Sequence, residues 1–343
     1  MTSSPSVIRV AGRAGFASAT LWAAMTVAGL GLGLGVGVGE ASAQSIAGAR
    51  DIYRDALSRS PLASDYQALA LFAGEKGLSS AHYTIDGDTI STTNFPMGYT
   101  FADMAAGARP FVEGVFGWSS LSQRDSAQFH PTRGPTDIRY DLSTYSAIGG
   151  AGVEFDGPPG LRVRPVALIG YSRVEDDSEF TGPGARFADA ATRGILLNAR
   201  VDSLLYGGAL ELLYDAPFTD EIDFSFAGRY TRLWADVVDA SDPAWERSSA
   251  SAFDTVTGHA EFEGPTGATL MGRDLRWIGF VGGASLIGSQ GAALGFTSYG
   301  EVGAGIRVVD RETFPYIEGG AIRGSVLVGD DMIGWSIGAT LDF

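Results

Sequence analysis

The sequence contains no cysteine, a single lysine (Lys76) and only three histidines among its 343 residues. Without cysteine there is no disulfide framework, no thiolate zinc site and no cysteine nucleophile. Its 24 basic residues are otherwise all arginine and face 40 acids, for a formal net charge of −16. A chain this acidic is poorly suited to the phosphate backbone, so nucleic acid is not an expected partner. After residue 43 no apolar run reaches the roughly 18 residues of a spanning helix. With 45% hydrophobic residues the chain is not a disordered one. Its length admits two ordinary domains, but large all-β barrels of this size form one.

Residues 1–43 read as a secretory signal. Arg9 and Arg13 are the only basic residues there, and the first acid is Glu40. An apolar stretch from Ala14 to Val38 is followed by Ala41-Ser42-Ala43, the small residues a signal peptidase requires. A retained membrane anchor is the alternative, because the stretch is long enough to span. The alternating glycines from Gly29 to Gly39 argue against it, since glycine disfavours helix.

A helical period follows over 44–78, with Ile46, Ala49, Tyr53, Ala56 and Leu57 on one face and Arg50, Asp51, Arg54, Asp55 and Arg59 making a dense charged face. Ser60-Pro61 restarts the helix as N-cap and first helical position, and Gly74 and Gly77 end it. From about Ser79 to Phe343 the period is two. Twelve segments are expected as strands: 79–88, 93–104, 109–121, 136–155, 161–174, 196–215, 220–236, 250–263, 273–286, 293–308, 313–327 and 331–343. In the last, Ile333, Trp335, Ile337, Ala339, Leu341 and Phe343 share one face, and Gly334, Ser336, Gly338, Thr340 and Asp342 the other. Phe296, Val302, Ala304, Ile306 and Val308 alternate in the same way with Thr297, Glu301, Gly303, Gly305 and Arg307. Arg229 and Glu211 fall on the polar faces of their segments. Short turns near 107–110, 156–160, 215–220 and 310–313 alternate with long links near 122–135, 175–193 and 238–249. The link near 264–273 is expected long, and Gly329-Asp330 short, against that alternation.

Several segments exceed the roughly ten residues that cross a bilayer as a tilted strand. In hydrocarbon only helices and closed barrels satisfy every backbone polar group. The chain therefore reads as all-β, an antiparallel transmembrane β-barrel of about twelve strands, with lipid-facing apolar residues and lumen-facing Arg229, Glu211, Glu301 and Arg307. A soluble periplasmic β protein remains the competing architecture.

The ending Trp335-Ser336-Ile337-Gly338-Ala339-Thr340-Leu341-Asp342-Phe343 resembles the carboxy-terminal assembly signal of bacterial outer-membrane proteins. That resemblance implies recognition of Trp335, Ile337, Leu341 and Phe343 by the barrel-assembly machinery, and an outer-membrane setting among lipid and lipopolysaccharide. Arg109-Pro110-Phe111-Val112-Glu113-Gly114 is a strand start common in the same group. Twelve strands behind a helix are similar to the autotransporter β-domain, whose barrel holds an amino-terminal helix in its pore. Only about 35 residues separate the signal from the first strand, so the chain looks like the solitary barrels that carry no passenger. The resemblance implies a structural role or a narrow, plugged pore. An open small-solute channel and an outer-membrane hydrolase are the alternatives, and a periplasmic helix is the alternative to the plug.

Chemistry is sparse in this sequence. Gly334-Trp335-Ser336-Ile337-Gly338 matches G-x-S-x-G, but that mechanism needs a strand-turn-helix elbow and a following histidine, and none follows. His259 and Glu261 share a strand face, an arrangement that orients a general base or simply pairs in a lumen; His82 and His130 have no partner in sequence. Glu175, Asp176, Asp177 and Glu179, and Asp236, Asp239 and Asp242, supply oxygen clusters without calcium-loop spacing. No catalysis, cofactor or metal is expected.

Overall fold

The computed structural model describes residues 45–342 apart from 61, 77–79, 86–87, 105–106, 128, 130–132, 247–250, 271, 289–293, 295, 310–318 and 331. The expected signal at 1–43, His130 and Phe343 lie outside the described residues.

Two helices come first. Helix α1 (Ile46–Arg59) is capped by Ser45, whose side chain accepts from Gly48 N–H, and α2 (Leu62–Gly74) follows directly. Twelve strands then close in sequence order into one antiparallel barrel. They are β1 (Ala81–Ile85), β2 (Asp88–Thr100), β3 (Ala108–Ala127), β4 (Thr136–Asp156), β5 (Leu161–Thr181) and β6 (Arg200–Pro217), then β7 (Asp223–Ala240), β8 (Ser251–Leu270), β9 (Arg273–Ile287), β10 (Ser298–Val309), β11 (Gly319–Gly329) and β12 (Met332–Asp342). A third helix, α3 (Ala185–Thr192), sits in the link between β5 and β6.

The outward face is apolar and open to the surroundings: Ile169, Val302, Ile306, Trp335 and Ile337 are each more than half exposed. The inward face buries charge, with Glu113, Glu154, Glu211, Arg229 and Glu261 all nearly covered. A water-soluble sheet protein distributes these residues the other way round, and the soluble alternative is set aside on that ground. Outward rings gather at two heights. Trp118, Tyr145, Tyr171, Tyr206 and Trp335 lie toward the long-link end, and Tyr99, Phe101, Phe155, Tyr214 and Phe218 toward the turn end.

Above the long-link ring the lumen changes character. Ile138, Tyr140, Leu142, Val174, Val201 and Leu205 point inward and form one core with α1, α2, α3 and Trp245. The outer storey of the barrel is therefore largely a hydrophobic core, and the inner storey sets charged clusters beside apolar residues such as Phe111, Leu168 and Phe280.

Three expectations need correction. The link near 264–273 is not a long loop: β8 continues to Leu270 and β9 begins at Arg273, with a register irregularity between Pro265 and Thr269. Phe296 belongs to no strand and packs inward on Phe72 and Tyr83. The first strand is shorter than 79–88, with five rungs on β12 and four on β2. Residues 313–318 of the expected segment 313–327 lie outside the described residues, and β11 is described from Gly319.

Candidate functional site: the ionic lumen and its helix

Helix α2 touches β2, β3, β4, β5 and β8. Strands that lie apart around a closed barrel can share one neighbour only if it lies inside. Tyr66 at the upper end of the helix rests on Trp245, ring centroids 4.8 Å apart, and Gln67 donates to the Ala235 carbonyl at 3.2 Å. Phe72 meets Tyr83 and Phe296 edge-on at 5.3 and 5.7 Å. The lower end comes so close to the wall that a Cβ on Gly117 would overlap the Ala73 carbonyl. Glycine is required at that point by the approach of the helix.

Below the helix a charge network crosses the lumen. Lys76 Nζ lies 2.9 Å from Glu113 on β3 and 3.4 Å from Glu211 on β6. Arg229 on β7 holds Glu113 by two bonds, 3.1 and 2.6 Å, and lies 3.5 Å from Glu75. Glu75 also accepts from the Thr231 hydroxyl at 2.9 Å. Arg164 bonds Glu154 and reaches Glu211 at 3.3 Å, and Arg109 meets Glu154 at 2.8 Å. Phe111 is covered by Lys76 and Arg164, 5.2 and 4.4 Å from its ring centre. Bidentate arginine–carboxylate pairs fix geometry as well as charge. The space left beside Gly74, Glu75, Lys76, Glu113 and Arg229 is about 10 Å³, roughly the room for one water.

A second network lines the opposite wall. Glu261 and Glu263 on β8 are held by Arg276, Arg307 and Arg323 of the next three strands. Glu301 accepts from the Ser325 hydroxyl at 2.5 Å. The four lumen residues read from the sequence thus divide between the networks: Arg229 and Glu211 in the first, Arg307 and Glu301 on the second wall. The alternation did not single out Glu75, Lys76, Glu113, Arg164 or Glu154. The one lysine of the chain was the available signal for the meeting point of helix and wall.

The other candidates have definite places. His259 Nε2 is 3.5 Å from Glu261, and its ring is 5.1 Å from that of Phe280. Ser336 lies inside β12 and donates to the Ser80 carbonyl at 2.6 Å, so its hydroxyl serves the barrel seam. His82 contacts Ser91 and the Trp335 ring on the wall. The acidic groups are split by the pleat and by partners. Asp176 turns inward while Asp177 and Glu179 turn outward. Asp242 binds Arg54 of α1 at 2.9 Å, Asp236 accepts from Tyr206, and Asp239 meets Arg200. Among the described residues there is no group of three or more metal-binding side chains. Trp335 and Ile337 face outward, and Leu341 stands opposite Gly320 in the ladder.

Helix α1 closes the upper end. Arg50 donates to the carbonyls of Ala190 and Arg193, each at 3.1 Å, and Tyr53 packs on Phe129. Among the described residues, α1 therefore stands at the long-link end and α2 reaches from there into the lumen.

The fold and the inverted polarity define a twelve-stranded barrel of the membrane-spanning kind. No family model matches the chain, and no curated protein does. Solved structures are similar to it in shape. The β-domain of the Bordetella autotransporter BrkA is 11% identical, covering 77% of this chain and 96% of that one, with a TM-score of 0.42. The translocator domain of the autotransporter NalP from Neisseria meningitidis is 13% identical, covering 77% and 85%, at 0.43. The transport unit of the autotransporter AIDA-I from Escherichia coli is 12% identical, covering 82% and 97%, at 0.42.

Proposed function

We propose that the protein is an outer-membrane β-barrel of the autotransporter type, without a passenger, whose pore is stoppered by its own amino-terminal segment. The observation that carries this reading is the lock at the tip of α2. Lys76 joins carboxylates on β3 and β6, Arg229 ties β3 to β7, and the small cavity beside them holds about one water. On this reading that contact obstructs the passage of a hydrated ion. On this reading residues 1–43 are the export signal, 44–78 the stopper and 79–343 the barrel. The barrel-assembly machinery recognises Trp335, Ile337, Leu341 and Phe343, and the role is structural rather than enzymatic.

Planar-bilayer conductance tests the stopper. The whole mature chain should show no steady open state, and deletion of 45–76 should create one. A steady conductance that is the same with and without the segment overturns the stopper in favour of an open small-solute channel. Fractionation tests the location, and recovery in the soluble periplasmic fraction overturns it.

A further inference from the structure

On the outward face of β2–β5, two neighbouring cross-strand rows differ in chemistry. The lower row runs Phe95, Phe116, Ala147, Tyr171. The row above it, toward the long-link end, runs Trp118, Tyr145, Arg173. Ala147 stands where the lower row would carry another ring, and the result is a cleft of about 330 Å³ lined by all seven residues. Elsewhere on the outer wall the rings close on one another: Tyr206 stacks on Trp234 at 5.9 Å, and Phe224 lies 5.0 Å from Phe262. Among the described residues none of the five rings around Ala147 makes such a pair. They are held apart around an alanine.

We infer that this cleft is a specific site for an acyl chain of an outer-leaflet glycolipid, the disaccharide of which lies across the upper row. The inference rests on the outer-membrane reading above and names a lipid partner for it. The chemistry comes from the two rows. Aromatic walls over a small floor accept a polymethylene chain, because rings bury large apolar area. One pleat higher stand an indole N–H, a phenol and a guanidinium on three adjacent strands. Strands lie about 4.8 Å apart, so these groups spread over about 10 Å. A single glycerol headgroup meets one or two of them, whereas a sugar pair spans all three. Arg173 is held outward and rigid by two bonds to Asp202, 2.6 and 3.1 Å, and by a third to the Tyr171 hydroxyl at 3.3 Å. A fixed guanidinium flanked by an indole suits the ring oxygens and hydroxyls of a sugar, and its nearest anions, Asp202 and Glu175, leave it no surplus charge to seek a free phosphate.

The full mature chain is reconstituted in nanodiscs of phosphatidylethanolamine and phosphatidylglycerol, with and without lipid A, then released in mild detergent for native mass spectrometry. The wild type should retain one lipid A per chain. Ala147→Trp, which fills the cleft, should lose it, and Trp118→Phe, which keeps the ring and removes the N–H, should retain several-fold less. Heat-modifiable migration of each variant shows that the barrel has formed, and a wild type that fails this control or does not enter the membrane sinks the membrane reading rather than the site. With folded protein, no retained lipid, equal retention by all three chains, or retention of a phospholipid instead overturns the site.

Discussion

Replacing Glu113 by Ala should weaken the barrel. The carboxylate is almost wholly covered and takes three charge-assisted bonds, two from Arg229 and one from Lys76. Removing it strands Arg229, whose side chain is 5% exposed. Breaking a buried pair by deleting one partner costs about 3–5 kcal/mol. Arg229 keeps Glu75 at 3.5 Å, and Lys76 keeps Glu211 at 3.4 Å, so the lower figure of about 3 kcal/mol applies. Lys76→Met is the internal control. It leaves Glu113 with both Arg229 bonds and Glu211 with Arg164, and its cost should be about 1 kcal/mol. Urea unfolding in vesicles, followed by tryptophan fluorescence, gives both values. Equal losses, or a larger loss for Lys76→Met, would refute the assignment of the lock to the Glu113–Arg229 pair.

Three other outcomes are expected. Ile306→Arg places a charge on the outward face at mid-height and should cost about 2–4 kcal/mol in the same assay, whereas no change would invert the parity of β10. Asp176, on the part of β5 above the outer ring of aromatics and outside the membrane-spanning stretch, is pushed up to about 7 by burial, against the pull of the Ser178 hydroxyl and the Asn198 N–H. Because its folded value is raised, the stability it affects is greatest below the ordinary carboxylate range and falls as pH rises toward 7. The difference in melting temperature between the wild type and Asp176→Asn should therefore grow in favour of Asn from pH 4 to pH 7, and a flat difference refutes the burial argument. Hydrogen exchange should find β1 and the upper half of β12, joined by five rungs, less protected than the twenty-rung pairing of β3 with β4; equal protection would mean that ladder length does not set the order of opening.

Much of the barrel was legible because each strand crossing hydrocarbon must present apolar side chains at every second position. The strands faded from view where that demand ends. Beyond Ser122 and Val174 the outward residues become Arg124, Glu175, Asp177 and Glu179, so β3 and β5 look finished although they continue to Ala127 and Thr181. The same change of surroundings hid α3, whose Phe187, Ala188 and Ala191 are buried by the outer core rather than by a membrane. Gly264-Pro265-Thr266-Gly267 reads as a loop, and the structure spends those residues on a bulged strand end with Gly267 at a φ of 72°. The lumen network was half legible: alternation identifies which residues point inward, but not which of them meet across the axis. The Lys76–Glu113–Arg229 junction joins positions far apart in sequence, and only closure of the sheet brings them together.

Helix α1 packs on α3 at the long-link end and α2 lies within the barrel, while the first strand begins at mid-height, where Ala81 stands opposite Ser336. If the stopper proposed above is right, a ring of strands that has already sealed offers α1 no easy way past the Lys76–Glu113–Arg229 junction. On that reading the order of events in assembly is constrained: the leading segment is threaded while the last and first strands are still apart, and zipping of the five rungs between β1 and β12 is the step that traps it.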